Sequence, residues 1–151
     1  MVWNIQAAQS ELGNNLCDNL PFIHSLLGYD TTSQLFGIGK QKALHMMKAA
    51  KTNSPLLIAA QIFNNSTSSP DDAAAVGEKA LGAIYGDNET NSINTLRYRT
   101  FINKVAKNTV SVKAQSLPPS AATTKFHSLR VYFQVQMWRG NTSFNPCEWG
   151  W

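Results

Sequence analysis

The chain has 151 residues and a mass of 16.6 kDa, the size of one average domain. Its 43% hydrophobic content is enough for a core, while no apolar run reaches the ~18 residues of a membrane span, which excludes a membrane protein. Its start lacks the features of a secretory signal and its two cysteines cannot form a disulfide framework or a four-cysteine zinc site, so a nuclear or cytoplasmic protein is expected.

The first third of the chain is predicted to contain three helices. Residues 5–12 form a short helix that ends at a glycine. Residues 16–27 form the second, because Leu and Ile recur at spacings of three and four. Pro21 lies inside this pattern and leaves open a later start, with Asn19 as the cap. The third helix covers residues 40–50.

Three further helices are predicted from apolar spacing and from the polar loops between them. The first covers residues 55–63 and the last covers residues 93–106. The middle one has its cap at Ser69, Pro70 or Asp71 and runs through residues 73–85. In the last of these, Leu96, Phe101 and Val105 are predicted to form the apolar face. Tyr98 stands between two arginines, and we expect it to pack in the core rather than to form part of a single-strand-binding surface.

The segment from 120 to 138 allows two interpretations. Residues 129–137 alternate between apolar and polar, which suits a strand, but apolar residues also recur at helical spacing. The stretch contains no Gly or Pro, is too long for most strands and begins with a possible Ser120 cap, so we predict a helix. The sequence thus predicts a mainly α, single helical unit over residues 1–151, ending in an irregular tryptophan-rich tail at 139–151.

Charged residues are sparse and segregated along the chain. Between Asp30 and Asp71 there are four lysines and no acid, and between Glu89 and Glu148 there are eight basic residues and no acid. This indicates an anionic partner, nucleic acid ahead of an acidic lipid surface, and a solubilising face is the equal alternative. Because few acids are present to pair them, we expect these basic side chains to face solvent or a ligand.

The most informative segment, residues 28–50, places Gly-Ile-Gly-Lys between two predicted helices. A Gly-apolar-Gly turn exposes backbone N–H groups, and the helix that follows adds its positive dipole end. This arrangement suits a phosphodiester, although a plain helix–turn–helix corner is the alternative. The residues predicted to bind a nucleic-acid backbone are Gly37, Ile38, Gly39, Lys40 and Lys42.

The preceding residues make this segment resemble the helix–hairpin–helix element of flap endonuclease and XPG-type (PIN-like) 5′-nucleases. In that family an apolar helix ends in Gly-x-Asp, and Gly-Ile-Gly-x-x-x-Ala follows seven residues after the Asp. Here the apolar helix leads to Gly28-Tyr29-Asp30, and Gly37 follows at that interval. The whole chain, with Leu-Pro-Pro at 117–119 and its tryptophan-rich end, also resembles the carboxy-terminal part of nuclease-like proteins of animal genomes, some associated with mobile elements.

The resemblance implies roles for particular residues. Asp30 would be a metal ligand, and residues 37–40 would hold a duplex backbone, with a potassium ion at the hairpin. Mg²⁺ or Mn²⁺ would be bound only when a preceding α/β half supplies further carboxylates, because the residues before Asp30 include only Glu11 and Asp18 as acids. Thr31 departs from the family, which usually has an aromatic residue there.

The function implied is nucleic-acid backbone binding, with DNA favoured over RNA, within a metal-dependent phosphodiesterase when the preceding half is present. The alternative is a non-catalytic remnant that serves as a protein-association module through its tryptophan tail. We expect Trp138, Trp149 and Trp151 to fold the tail back onto the body, with partner docking as the second interpretation. The sequence does not determine the oligomeric state.

Overall fold

The computed structural model describes residues 4–87, 92–107 and 111–151, and in these ranges the backbone forms α-helices and no β-strand. The mainly α fold class predicted from the sequence is therefore confirmed. The helices are Ile5–Leu12 (α1), Asn14–Leu26 (α2), Lys40–Lys48 (α3), Pro55–Asn64 (α4), Pro70–Ile84 (α5), Ile93–Ala106 (α6) and Ala121–Trp138 (α7). Two short 3₁₀ helices lie at Ala114–Ser116 and Pro146–Trp149.

Serine caps set the starts of α4 to α7. In each, the side chain of the N-cap serine accepts a hydrogen bond from a backbone N–H three residues later, which satisfies one of the free donors of the first turn. The four caps are Ser54, Ser69, Ser92 and Ser120. At α5 the carboxylate of Asp72 also accepts from the side chain and the backbone of Ser69, which completes a capping box and lowers the pKa of Asp72.

Pro21 lies inside α2, so the later start with Asn19 as a cap is wrong. Asn19 instead lies within α2 and is buried, with only 8% of its surface exposed. Its Nδ2 donates to the carbonyl of Asn15 at 2.8 Å, and its Oδ1 accepts from Asn64 Nδ2 at 2.9 Å. The first bond lies within α2, and the second joins α2 to the end of α4 near the proline.

The core lies between α2, α4, α5 and α7, and α7 contacts the other three. The rings of Phe22 and Phe63 meet edge to face at 5.0 Å, and Phe63 meets Tyr132 at 5.9 Å. The close approach of α5 to α7 requires Gly77, because a Cβ there would lie 2.1 Å from Ser128 Oγ. This close contact leaves no room for a larger side chain at position 77.

Helix α7 confirms the helical interpretation of residues 129–137. Two polar side chains on its buried side donate hydrogen bonds to carbonyl groups at the end of α4. Tyr132 Oη donates to the carbonyl of Asn65 at 2.7 Å, and Gln136 Nε2 donates to that of Phe63 at 2.7 Å. Carbonyls at a helix end lack partners within the helix, and these side chains supply them. The polar residues of the alternating pattern are thus partly core residues.

Helix α6 is present as predicted, but its buried face is not the predicted one. Leu96 is buried, whereas Phe101 and Val105 are 40% and 47% exposed, and Tyr98 is 67% exposed. The expectation of a core position for Tyr98 is therefore wrong, and Phe101 and Val105 of the predicted apolar face do not lie in the core. Together with Ile102, they form an exposed apolar stripe at positions i, i+3, i+4 and i+7 of the helix.

The tail folds back onto α7 through Trp149, and the half-exposed ring of Trp151 also meets Phe133 of α7 at 6.4 Å. Trp149 is only 4% exposed and stacks on Tyr132 with the ring centroids 4.4 Å apart. Trp138 and Trp151 are 39% and 50% exposed, so the expectation of buried rings holds for Trp149 and is wrong for the other two.

Candidate nucleic-acid interface

The loop between α2 and α3 returns to the end of α2. Gly28 has a φ of +106°, and a Cβ at this position would lie 2.5 Å from the Cα of Gln34. The backbone N–H of Leu35 donates to the carbonyl of Leu27 at 3.4 Å. Only glycine leaves room for the backbone of Gln34 beside the end of α2, so the loop conformation depends on Gly28.

Asp30 lies in a tight turn of this loop. The backbones of Tyr29 and Thr32 exchange hydrogen bonds at 3.0 and 3.2 Å, and Thr32 Oγ1 donates to the carbonyl of Ser25 at 2.8 Å. Thr31 Oγ1 donates to Gln134 Oε1 of α7 at 2.6 Å. The turn is thus anchored on both sides, and it presents the Asp30 carboxylate in an exposed position.

Asp30 does not fit a two-metal centre within this chain. Among residues 4–87, 92–107 and 111–151, no three His, Cys, Asp or Glu side chains come close enough to hold a metal ion. A pair of hydrolytic cations needs several carboxylates, and the described residues form no such group around Asp30. We therefore derive no catalytic step from it.

The segment Gly37–Lys42 combines a glycine turn with an uncapped helix start. The N–H of Ile38 donates to the carbonyl of Leu35 at 3.4 Å, and Gly37 takes a φ of +73° in this turn. Gly39 is the N-cap of α3 and offers no side chain to the first N–H groups of the helix. Nothing lies within 4 Å of a Cβ built on Gly37 or Gly39. The free N–H groups at the start of α3 therefore adjoin open space, where the helix dipole favours an anion.

The side chains around this helix start separate into an apolar and a basic set. Ile38 is half-buried against the core, and Ala43 is 4% exposed. Lys40 and Lys42 are exposed, and neither makes a hydrogen bond or an ion pair within the described part of the chain. The structure thus brings both lysines beside the free N–H groups.

Three of the eight residues in the second basic group are used differently, since they bond to backbone carbonyls. Arg97 donates to the carbonyl of Pro118, and Lys104 Nζ donates to that of Ser116 at 2.9 Å. Arg130 Nε donates to the carbonyl of Gly150 at 2.6 Å. A lack of acids therefore does not leave Arg97, Lys104 and Arg130 without partners, because carbonyl oxygens serve as the partners, and the three residues are half-buried rather than fully exposed.

Sequence reasoning missed an aromatic cluster next to the Asp30 turn. The ring of His24 lies 5.1 Å from that of Tyr29 and 5.8 Å from that of Trp138, and the last two are 5.1 Å apart. Tyr29 and Trp138 are both 39% exposed. No local pattern could have found this cluster, because Trp138 comes from α7, far along the chain from α2.

Comparisons of the chain with protein-family models, with curated proteins and with solved structures give no match. In the described ranges no helix is both long and apolar enough to cross a membrane. The nuclease resemblance remains a prediction, and the geometry around α3 is the basis for the function proposed below.

Proposed function

We propose that the chain binds the backbone of nucleic acid, DNA ahead of RNA, at Gly37, Ile38, Gly39, Lys40 and Lys42. The observation that carries the proposal is the helix start of α3, which has no side-chain cap and is accompanied by two exposed lysines without partners. Free N–H groups and two cations suit a phosphate, and contacts of this kind do not read bases. We therefore expect little sequence preference.

In a longer protein with a preceding α/β half, this binding would serve a metal-dependent phosphodiesterase in the nucleus or the cytoplasm. Asp30 would then be one ligand of Mg²⁺ or Mn²⁺, and a potassium ion at the glycine turn would be a further contact to the backbone. The exposed position of Asp30, outside any carboxylate cluster in the described ranges, fits a ligand set completed from elsewhere. The chain alone is expected to bind without cutting.

The test is a gel-shift series on duplex and branched DNA at increasing NaCl concentration. Each phosphate contact contributes about 0.9 to the slope of log affinity against log salt, so Lys40→Ala with Lys42→Ala should flatten the slope by about two units. The matched control is Lys79→Ala with Lys125→Ala, which removes the same charge from α5 and α7 and should leave the slope nearly unchanged. Gly39→Val should also weaken binding, because its side chain closes the approach to the free N–H groups.

Two outcomes would overturn the proposal. The first is the absence of DNA binding at low salt. The second is an equal flattening of the salt slope by Lys40→Ala with Lys42→Ala and by the control variant Lys79→Ala with Lys125→Ala. A parallel assay with Mg²⁺ or Mn²⁺ measures cleavage, and cleavage that Asp30→Ala abolishes would show that this chain holds ligands beyond Asp30.

A second candidate function is association with an acidic partner protein, and the exposed stripe of α6 favours it. Tyr98, Phe101, Ile102 and Val105 form this stripe, while α6 carries three basic residues and no acid. Like charges oppose a second copy of the same helix, so an acidic partner is the better complement. The buried Trp149 makes the tail a poorer docking element than α6.

Cross-linking in cells tests this candidate, with Phe101→Ser and Ile102→Ser as the variant and Ile58→Ser, an exposed apolar residue of α4, as the control. We expect a cross-linked partner peptide rich in Asp and Glu that the stripe variant loses and the control retains. Concentration-dependent dimerisation in sedimentation, lost in the stripe variant, would instead make a second copy the occupant.

A further inference from the structure

His127 is a buried histidine that joins α7 to the end of α2. Its side chain is 4% exposed, and its Nε2 lies 2.9 Å from the carbonyl oxygen of Leu26. Because a carbonyl oxygen only accepts, Nε2 carries the proton of the neutral ring. Nδ1 is shielded from solvent and has no hydrogen-bond partner among the described residues. The neutral ring therefore bonds through only one of its two nitrogens.

The titratable groups that face His127 from the elements around it are neutral or positively charged. His127 lines a cleft of about 320 Å³ together with Tyr85, which follows α5, and Arg97 of α6. Arg130 lies one turn further along α7, and its charge acts on the ring. No Asp or Glu of the described residues lines this cleft, and His24 of α2 lies in the aromatic cluster instead. Protonation of Nδ1 would thus place a charge and a new N–H donor at a buried position without compensation.

Segment 33–36 forms one wall of the cleft and is weakly held. Three of its four residues are exposed, and only Leu35 is buried. The backbone N–H of Leu35 donates to the carbonyl of Leu27 at 3.4 Å, a long hydrogen bond, and Gln34 packs against Gly28. A short segment with one buried side chain and an exposed backbone opens at a lower free energy than a core helix.

The wall formed by the connection before α7 is held more firmly. Arg97 donates to the carbonyl of Pro118, and Lys104 Nζ donates to that of Ser116 at 2.9 Å. Both bonds come from α6 and fix this connection from outside. Of these two walls, segment 33–36 is therefore the one that can move without breaking hydrogen bonds from side chains of another helix.

We propose that protonation of His127 moves segment 33–36 away from the cleft, so that water reaches the ring while the core helices stay folded. Nδ1 takes up one proton, and the new N–H donates to the water that enters. The segment then acts as a pH-sensitive cover of the cleft, whatever the chain binds elsewhere.

The direction of the response follows from the two environments of the ring. In the closed form burial lowers the pKa of His127, and the charge of Arg130 lowers it further, against a smaller opposite effect of the bond to Leu26. A hydrated ring titrates near the ordinary value of about 6.5, so the open form binds the proton more tightly. The open form is therefore favoured as the pH falls below about 6.5, by at most about tenfold per pH unit.

The experiment is an NMR pH titration of the full chain from pH 8 to pH 5 without any ligand. We expect the ring nitrogens of His127 to report protonation with a midpoint below 6.5. The amides of residues 33–36 should shift with the same midpoint and lose protection from hydrogen exchange, while those of α4 and α5 keep theirs. No nucleic acid is present, so the result is independent of the proposed function.

Three outcomes of this titration would overturn the proposal. The first is a His127 ring that stays neutral down to pH 5 while segment 33–36 is unchanged. The second is protonation of His127 without a change in that segment. The third is a loss of protection in α4 and α5 with the same midpoint, which would mean unfolding of the core.

The variant His127→Gln carries no charge at any pH, and its amide can still donate to the carbonyl of Leu26. We expect the amides of residues 33–36 to stay unchanged from pH 8 to pH 5 in this variant. The matched controls are His24→Gln and His45→Gln, which remove the other two histidines of the chain and should keep the response. A response lost in His24→Gln would assign it to the aromatic cluster and contradict the proposal.

A second variant keeps the proposal testable if His127→Gln does not fold. Arg130→Gln removes the positive charge that disfavours protonation, so the midpoint should rise toward 6.5 for the His127 ring and for segment 33–36 together. A midpoint that rises for the ring alone would show that the segment does not respond to His127.

Discussion

The two acid-free stretches of the chain use their positive charge in different ways. Lys40 and Lys42, in the first stretch, stand exposed at the start of α3 without a partner in the described ranges. In the second stretch, Arg97, Lys104 and Arg130 bond to backbone carbonyls and hold the segments after α6 and α7. A lack of acids therefore does not by itself identify a ligand-binding surface, because carbonyl oxygens also satisfy cations.

The substitution Gly28→Ala should destabilise the loop between α2 and α3, which carries the start of the first stretch. We expect a loss of about 2–4 kcal/mol in the free energy of unfolding, because the variant combines a strained positive φ with a clash against the backbone of Gln34. Urea denaturation measures it. The matched control is Gly39→Ala, which has a negative φ and open space and should cost less than about 1 kcal/mol. Equal losses would show that the loop does not depend on the approach at Gly28.

In the second stretch, Arg130→Ala should cost about 1–2 kcal/mol. It removes the bond to the carbonyl of Gly150 and the contact of the guanidinium with the Trp151 ring, 5.4 Å from its centroid. Urea denaturation gives the change in stability, and tryptophan fluorescence reports the release of the tail. Lys125→Ala removes an exposed charge from the same helix and should stay within about 0.5 kcal/mol of the wild type. A neutral Arg130→Ala would contradict the structural role of this stretch.

Stability should fall as the pH drops below about 6.5, the ordinary pKa of histidine. Because the pKa of His127 is lowered in the folded chain, the unfolded chain binds the proton first, and its protonation favours unfolding. One proton changes the free energy of unfolding by at most about 1.4 kcal/mol per pH unit. Denaturation between pH 5 and pH 8 measures this, with His127→Gln as the variant in which the dependence flattens. An unchanged pH profile in that variant would assign the effect to other groups.

The smallest effect belongs to the hairpin lysines. Lys40→Ala with Lys42→Ala should change the free energy of unfolding by less than about 0.5 kcal/mol, because exposed side chains without partners contribute little to folding. The same thermal or urea measurement as for Arg130→Ala shows the contrast directly. A loss comparable to that of Arg130→Ala would mean that both basic groups are structural.

Helix positions were largely predictable because they depend on local spacing and capping. The ranges of α1 and α6 agree with the predicted residues 5–12 and 93–106, and α7 begins after the predicted Ser120 cap. The glycine spacing also predicted the turn before α3, in which Gly37 takes a φ of +73°. The sequence therefore determined the class of the fold and the places of its helices along the chain, since 3.6-residue periodicity, capping serines and helix-ending glycines act within a few residues.

The environment of each side chain was decided by tertiary structure. Phe101 on α6 is exposed because α6 packs its other side against α5, and Pro21 is tolerated inside a helix that Asn19 ties to α4. The bond from His127 to the carbonyl of Leu26 and the bond from Arg130 to the tail join residues that are not neighbours in the sequence. Local periodicity states which residues share a helix face, but the burial of that face depends on which element packs against it.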